Sequence, residues 1–206
     1  MKSTSLQDYG FVPFFAQQVS VDEIEQRRIG RVIEVQRSVI TVTDGSEERS
    51  ITLTSSWHDV TAEEKPTVGD WVVLDEQRLK VQRVLGRKSV FRRVAAGEKT
   101  AVQLIAANVD VLFVVTSCNE EFKESRLERY LALAVEAGVV PVVVLTKVDL
   151  SADPDSFATR ARSVQSGVHV EQINALDQDT FEGVLSWIEP GSTVALVGSS
   201  GVGKST

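Results

Sequence analysis

The residues best equipped for chemistry form one run, Gly198-Ser-Ser-Gly-Val-Gly-Lys-Ser-Thr206. It fits the pattern G-x-x-x-x-G-K-[ST], with Gly198, Gly203, Lys204 and Ser205 in the fixed places. Phosphate oxygens need several donors converging from one side, and a loop of backbone N–H groups supplies them. Gly198, Gly201 and Gly203 leave that backbone bare. Ser199, Ser200, Val202 and Thr206 fill out the expected contact set. Lys204 can place an ammonium on the β- and γ-phosphates, and the Ser205 hydroxyl can ligate Mg²⁺. The plainer alternative is a Gly/Ser turn before a helix.

A second group reads a base. Thr146-Lys147-Val148-Asp149 matches [NT]-K-x-D, the guanine-reading pattern of GTPases. A carboxylate at Asp149 can accept from guanine N1–H and from the exocyclic amine. Adenine has no such donors on that edge, so an unpaired carboxylate would penalise it. Lys147 can lay its aliphatic stem over the base plane, and Thr146 can tie this loop to the phosphate loop. Asn174-Ala175-Leu176 stands where GTPases usually have Ser-Ala-Lys or Ser-Ala-Leu. The Ala175 N–H would meet guanine O6, and Asn174, in place of Ser, can still brace the loop.

The elements that must hold these loops are legible as strands alternating with helices. Apolar runs at 109–116, 139–145, 169–173 and 193–197 read as strands, each of the last three ending at one of the loops above. Residues 125–138 have helical spacing, with Leu127, Tyr130, Leu131, Ala134 and Val135 on one face and Gly138 as the stop. Residues 153–166 and 180–187 read as further helices. This is the pattern of a parallel sheet covered on both faces. The base loops precede the phosphate loop, the reverse of ordinary GTPases. That order implies a circular permutation, which an α/β sheet tolerates because ligands gather at the strand C-termini whatever the chain order.

The first half has another texture. Short runs at 30–35, 38–43, 50–54, 71–74 and 79–84 alternate or are apolar, with Asp44-Gly45 as a turn signal. Five short strands in this space predict a small barrel of the OB-fold type over residues 28–93, followed by the α/β part over 94–206. Such barrels often bind single-stranded nucleic acid, and a purely structural or protein-binding barrel is the alternative. Residues 1–27 form an arm, expected to be partly ordered, in which Tyr9, Phe11, Phe14 and Phe15 are able to dock. Arg87, Lys88, Arg92 and Arg93, with Phe91 among them, make the densest basic cluster. They suit phosphate contact plus stacking, or else a solvated linker.

Composition excludes several classes. The chain has 206 residues and a formal net charge of −7, with the acidity in the second half. A globally acidic chain is a poor non-specific nucleic-acid binder, so any RNA contact must rest on local patches. Cys118 is the single cysteine, which excludes a disulfide framework, and it reads as an inert buried thiol. His58 and His169 are isolated and read as structural. The start lacks a signal peptide's layout and no apolar run approaches the ~20 residues of a membrane span, so a soluble, cytoplasmic monomer is expected.

Taken with Val68-Gly-Asp70, Arg87-Lys-Ser89, Ala106-Ala-Asn-Val-Asp110 and Arg129-Tyr-Leu131, the three loops resemble the RsgA (YjeQ/EngC) family of permuted small ribosomal subunit biogenesis GTPases. The resemblance runs from about residue 28 to 206. It implies GTP or GDP with Mg²⁺ as ligands, the 30S subunit and its rRNA as partners, GTP hydrolysis as the activity, and an OB barrel ahead of the permuted domain. It also implies switch segments and a zinc-binding tail that this sequence does not contain. The expectation is therefore a chain cut after the phosphate loop, with no catalytic residue of its own and no turnover. No role for Asn108 or Asp110 follows from the sequence beyond strand entry. The rival reading is a non-catalytic RNA- or protein-binding module with a scaffold α/β domain. A second rival, an ATP-using phosphate-loop enzyme, is opposed by Asp149.

Overall fold

The computed structural model describes residues 5–57, 59–94 and 102–205. His58 and Thr206, both singled out above, lie outside them. The chain divides into two compact units, Met1–Val109 and Asp110–Thr206.

The first unit opens with two short helices, α1 (Pro13–Ala16) and α2 (Val21–Glu25). Pro13 starts α1 at a position where its missing N–H costs nothing. Ser20 caps α2 reciprocally with Glu23. Five antiparallel strands follow: β1 (Ile29–Gln36), β2 (Val39–Thr43), β3 (Glu48–Thr52), β4 (Trp71–Leu74) and β5 (Val81–Val84), in the order β3-β2-β1-β4-β5. Each matches one of the five runs read from the sequence. One apolar cluster lies among Val32, Ile40, Val42, Ile51, Val72 and Leu74. A second places Phe11 and Phe15 of the arm against Trp71, Ile29, Val73 and Leu85. The arm is therefore docked. Phe15 is fully buried, and Glu23 pairs with Arg83 of β5 at 3.0 Å. Burying two phenylalanines stabilises by about 1.5–3 kcal/mol each, which contributes to holding the arm in place.

A hairpin of β6 (Val90–Val94) and β7 (Val102–Ala107) closes the unit. The basic cluster Arg87, Lys88, Arg92 and Arg93, for which the sequence leaves phosphate contact and a solvated linker open, lies on and just before this hairpin. Beside it Asp70, fully buried, receives both Nε and Nη2 of Arg87 at 2.7 Å, and Arg87 also donates to the carbonyls of Glu63 and Lys65. Asn108, buried and left-handed at φ 56°, accepts from the Lys88 N–H and donates to the Gly69 carbonyl. Val68-Gly-Asp70, Arg87-Lys-Ser89 and Asn108 are thus one polar hub, in which Asn108 has a role the sequence did not disclose.

The second unit is a parallel sheet, β8 (Val111–Ser117), β9 (Val140–Thr146), β10 (His169–Gln172) and β11 (Val194–Val197), ordered β10-β9-β8-β11. Its helices are α3 (Glu124–Ala137), α4 (Pro154–Val164) and the short α5 (Glu182–Leu185). Val111, Phe113 and Val115 point to the face that Val184 of α5 covers. The alternate residues, Leu112 and Val114, point to the other face, where α3 and α4 pack. Gly138 ends α3 in the left-handed region, as its position predicted. Leu127, Leu131 and Ala134 are buried, but Val135 is exposed and not in the expected apolar stripe. The buried stripe follows the spacing i, i+4, i+7, and the next position turns off it.

Candidate nucleotide-binding site

Three loops leave the C-terminal ends of β9, β10 and β11, so one edge of the parallel sheet collects them. The start of β11 is pinned by Asp110. Its carboxylate accepts the Thr193 N–H at 2.9 Å, while the Asp110 N–H donates to the Thr193 carbonyl. That clamp sets the register of β11 on β8, and so the place where the phosphate loop begins.

Gly198, Gly201 and Gly203 all have positive φ. At Gly198 a Cβ would stand 2.3 Å from the Val115 carbonyl oxygen, so the loop leaves the sheet through a gap only glycine fits. At Gly201 a Cβ would meet nothing within 4 Å, leaving the loop's crest open to an incoming group. Val202 is buried and anchors the loop from below. Lys204 folds back so that its ammonium donates to the carbonyls of Gly198, at 3.0 Å, and Ser199. Ser200 and Ser205 are exposed.

The base loop grips this one. Thr146, itself buried, donates its hydroxyl to the Val202 carbonyl at 2.6 Å. Lys147 donates to the Gly201 carbonyl at 2.8 Å. Its backbone is left-handed at φ 57°, a conformation costly for a lysine and characteristic of sites held under constraint. Asp149 is exposed and has no hydrogen-bond or ion-pair partner among the described residues. After β10, Asn174 accepts the Leu176 N–H on its side chain and braces a turn closed by Thr180. The Ala175 N–H, at the crest of that turn, has no partner among the described residues.

The donor set fits a nucleotide. Bare backbone and an ammonium face the place for phosphates, and a free carboxylate and a free N–H lie at the neighbouring strand ends. Mg²⁺ usually keeps waters and takes one or two protein oxygens beside the phosphates, and Ser205 offers one. Among the described residues no cluster of three or more His, Cys, Asp or Glu could hold a metal ion. Cys118 is buried and burial pushes its thiol up to about 11, which leaves it inert at neutral pH. His169 is exposed with its ring against Trp187.

The basic cluster is split. Arg87 has its donors committed to Asp70 and two carbonyls. Arg92 is exposed and paired with Glu63 at 3.1 Å. Arg93 is exposed, and the Lys88 ammonium lies over the Phe15 ring at 5.9 Å. One functional candidate was missed by the sequence reading. Arg126, on the first turn of α3, donates to the Ser199 hydroxyl. No motif contains it, and its partner lies 73 residues away.

A parallel sheet whose base-reading loops precede its phosphate loop defines a permuted GTPase-type nucleotide-binding domain. Residues 84–206 match the RsgA GTPase family, and the chain belongs to it. It is 45% identical over 202 residues to a small ribosomal subunit biogenesis GTPase RsgA 2 of Vibrio vulnificus, covering 98% of this chain and 56% of that one. It is 40% identical over 206 residues to the RsgA of Mesorhizobium japonicum, covering 99% and 57%. Among solved structures it is similar to YjeQ from Thermotoga maritima, with a TM-score of 0.66 at 25% identity over 86% of this chain and 62% of that one. The fold is also that of YloQ, described as a circularly permuted GTPase, with a TM-score of 0.58 at 24% identity over 85% and 61%. The chain spans just over half the length of these curated relatives.

Proposed function

We propose that this chain is the guanine-nucleotide-binding part of a GTPase that acts in assembly of the small (30S) ribosomal subunit. The observation that carries the reading is the pair of bonds from Thr146 and Lys147 to the Val202 and Gly201 carbonyls. They lock a base-reading loop to a phosphate loop, so base identity and phosphate placement are set together. Asp149 and the Ala175 N–H take the guanine edge. Gly198 to Ser205 cradle the phosphates, and Lys204, seated on the Gly198 and Ser199 carbonyls, has a third N–H for the phosphate oxygens. The Ser205 hydroxyl would hold the Mg²⁺ that comes with the nucleotide, and that ion would supply charge neutralisation. Family membership favours this over a non-catalytic module. The test is competition against a fluorescent GDP analogue on the full-length protein. GTP and GDP should displace it and ATP should not, while equal displacement by ATP would sink the assignment.

The antiparallel sheet supports an OB-type barrel, because β4 returns to pair with β1 beside the β1-β2-β3 meander. Here the rRNA contact falls to Lys88, Arg92 and Arg93. Arg87 is their brace, since its donors are spent. Arg92 and Arg93 are exposed at consecutive positions of β6. Replacing the three by Ala should weaken co-sedimentation with small subunits. The salt slope should become shallower by roughly one per lost phosphate contact. An unchanged slope would move the contact elsewhere. No helix among the described residues is long and apolar enough to cross a membrane.

A further inference from the structure

The phosphate loop is held by three cations, and only two belong to its motifs. Lys147 takes the Gly201 carbonyl, Lys204 takes the carbonyls of Gly198 and Ser199, and Arg126 of α3 takes the Ser199 hydroxyl. Ser199 is thus held twice, by a guanidinium on its side chain and an ammonium on its carbonyl. Arg126 is itself oriented by Glu121, whose carboxylate lies 3.7 Å from Nη1 and whose carbonyl accepts from the same nitrogen at 3.5 Å.

We propose that Arg126 is a positioning residue for the nucleotide's phosphates, acting through Ser199. This rests on the nucleotide-binding reading above and adds a member to the site from outside every motif. The reasoning is geometric. Ser199 is the first residue after the glycine that leaves the sheet, and its peptide links the Gly198 turn to the crest at Gly201. Fixing its side chain fixes the direction of its carbonyl, and that carbonyl seats the lysine that must meet the phosphates. Without Arg126 the peptide can rotate and the ammonium loses its seat. The base loops are untouched, because none of their bonds passes through Ser199.

Arg126→Ala in the full-length protein should weaken GDP and GTP about tenfold, as loss of a charge-assisted hydrogen bond implies. Binding of guanosine, which lacks phosphates, should be unchanged when followed by ligand-observed NMR. Ser199→Ala should reproduce the loss, the double variant should be no worse than either single one, and Arg126→Lys should recover part of it. Unchanged GDP affinity, an equal loss for guanosine, or additive single effects would each overturn the proposal. Wild-type binding of GDP and ADP with equal affinity would count against the guanine reading alone, since Arg126 acts on phosphates whatever the base. A wild type that binds neither would overturn both.

Discussion

Arg87→Ala should destabilise the N-terminal unit by roughly 3–5 kcal/mol, the usual result of stripping one partner from a buried ion pair. Asp70 has no exposed surface and Arg87 has only 14% of its side chain exposed. The carboxylate would keep one donor, the Thr67 N–H at 2.7 Å, and lose two charge-assisted bonds. The carbonyls of Glu63 and Lys65 would lose their donor as well. In urea the midpoint of that unit should fall by more than about 1 M. Asp70→Asn combined with Arg87→Met should recover part of the loss, because no unpaired charge then remains buried. A midpoint unmoved by Arg87→Ala would mean that water replaces the guanidinium at little cost. The result bears on function too: loss of subunit binding in an Arg87 variant would report an unfolded hub, whereas Arg92 and Arg93 variants report contact.

The sequence disclosed what is local. Alternation along β1, β2 and β3, the glycine that stops α3 and the loop motifs all depend on residues within a few positions of each other. Strand β6 was hidden because Arg92 and Arg93 are consecutive charged residues, both exposed, so the run lacks the alternation of a half-buried strand and suits a solvated linker equally well. The roles of Asn108, Asp110, Arg87 and Arg126 were hidden for another reason. Their partners lie 39, 83, 17 and 73 residues away, and no periodicity points to them. In the site, the type of each residue announced its chemistry, and the contacts that fix each loop became visible only with the fold.

Asp149→Asn should exchange base preference and leave the fold intact. Asp149 is exposed with no partner among the described residues, so no native bond is broken by the change. The carboxylate offers two acceptors to guanine, for N1–H and the exocyclic amine. An amide offers one acceptor and one donor, and its NH₂ would face guanine's amine, donor against donor. Loss of one charge-assisted bond and an unpaired donor together cost about 3 kcal/mol, near 10²-fold in GDP affinity. Xanthine carries a carbonyl where guanine has the amine. It keeps N1–H and presents an acceptor to the new donor, so xanthosine diphosphate should bind the variant more tightly than GDP does and the wild type less tightly. The Thr146 and Lys147 bonds to the phosphate loop do not involve Asp149, so the urea midpoint should not move. Parallel titrations of both proteins with GDP and xanthosine diphosphate read the exchange directly. If both nucleotides weakened alike, Asp149 would be acting on the loop and not on the base.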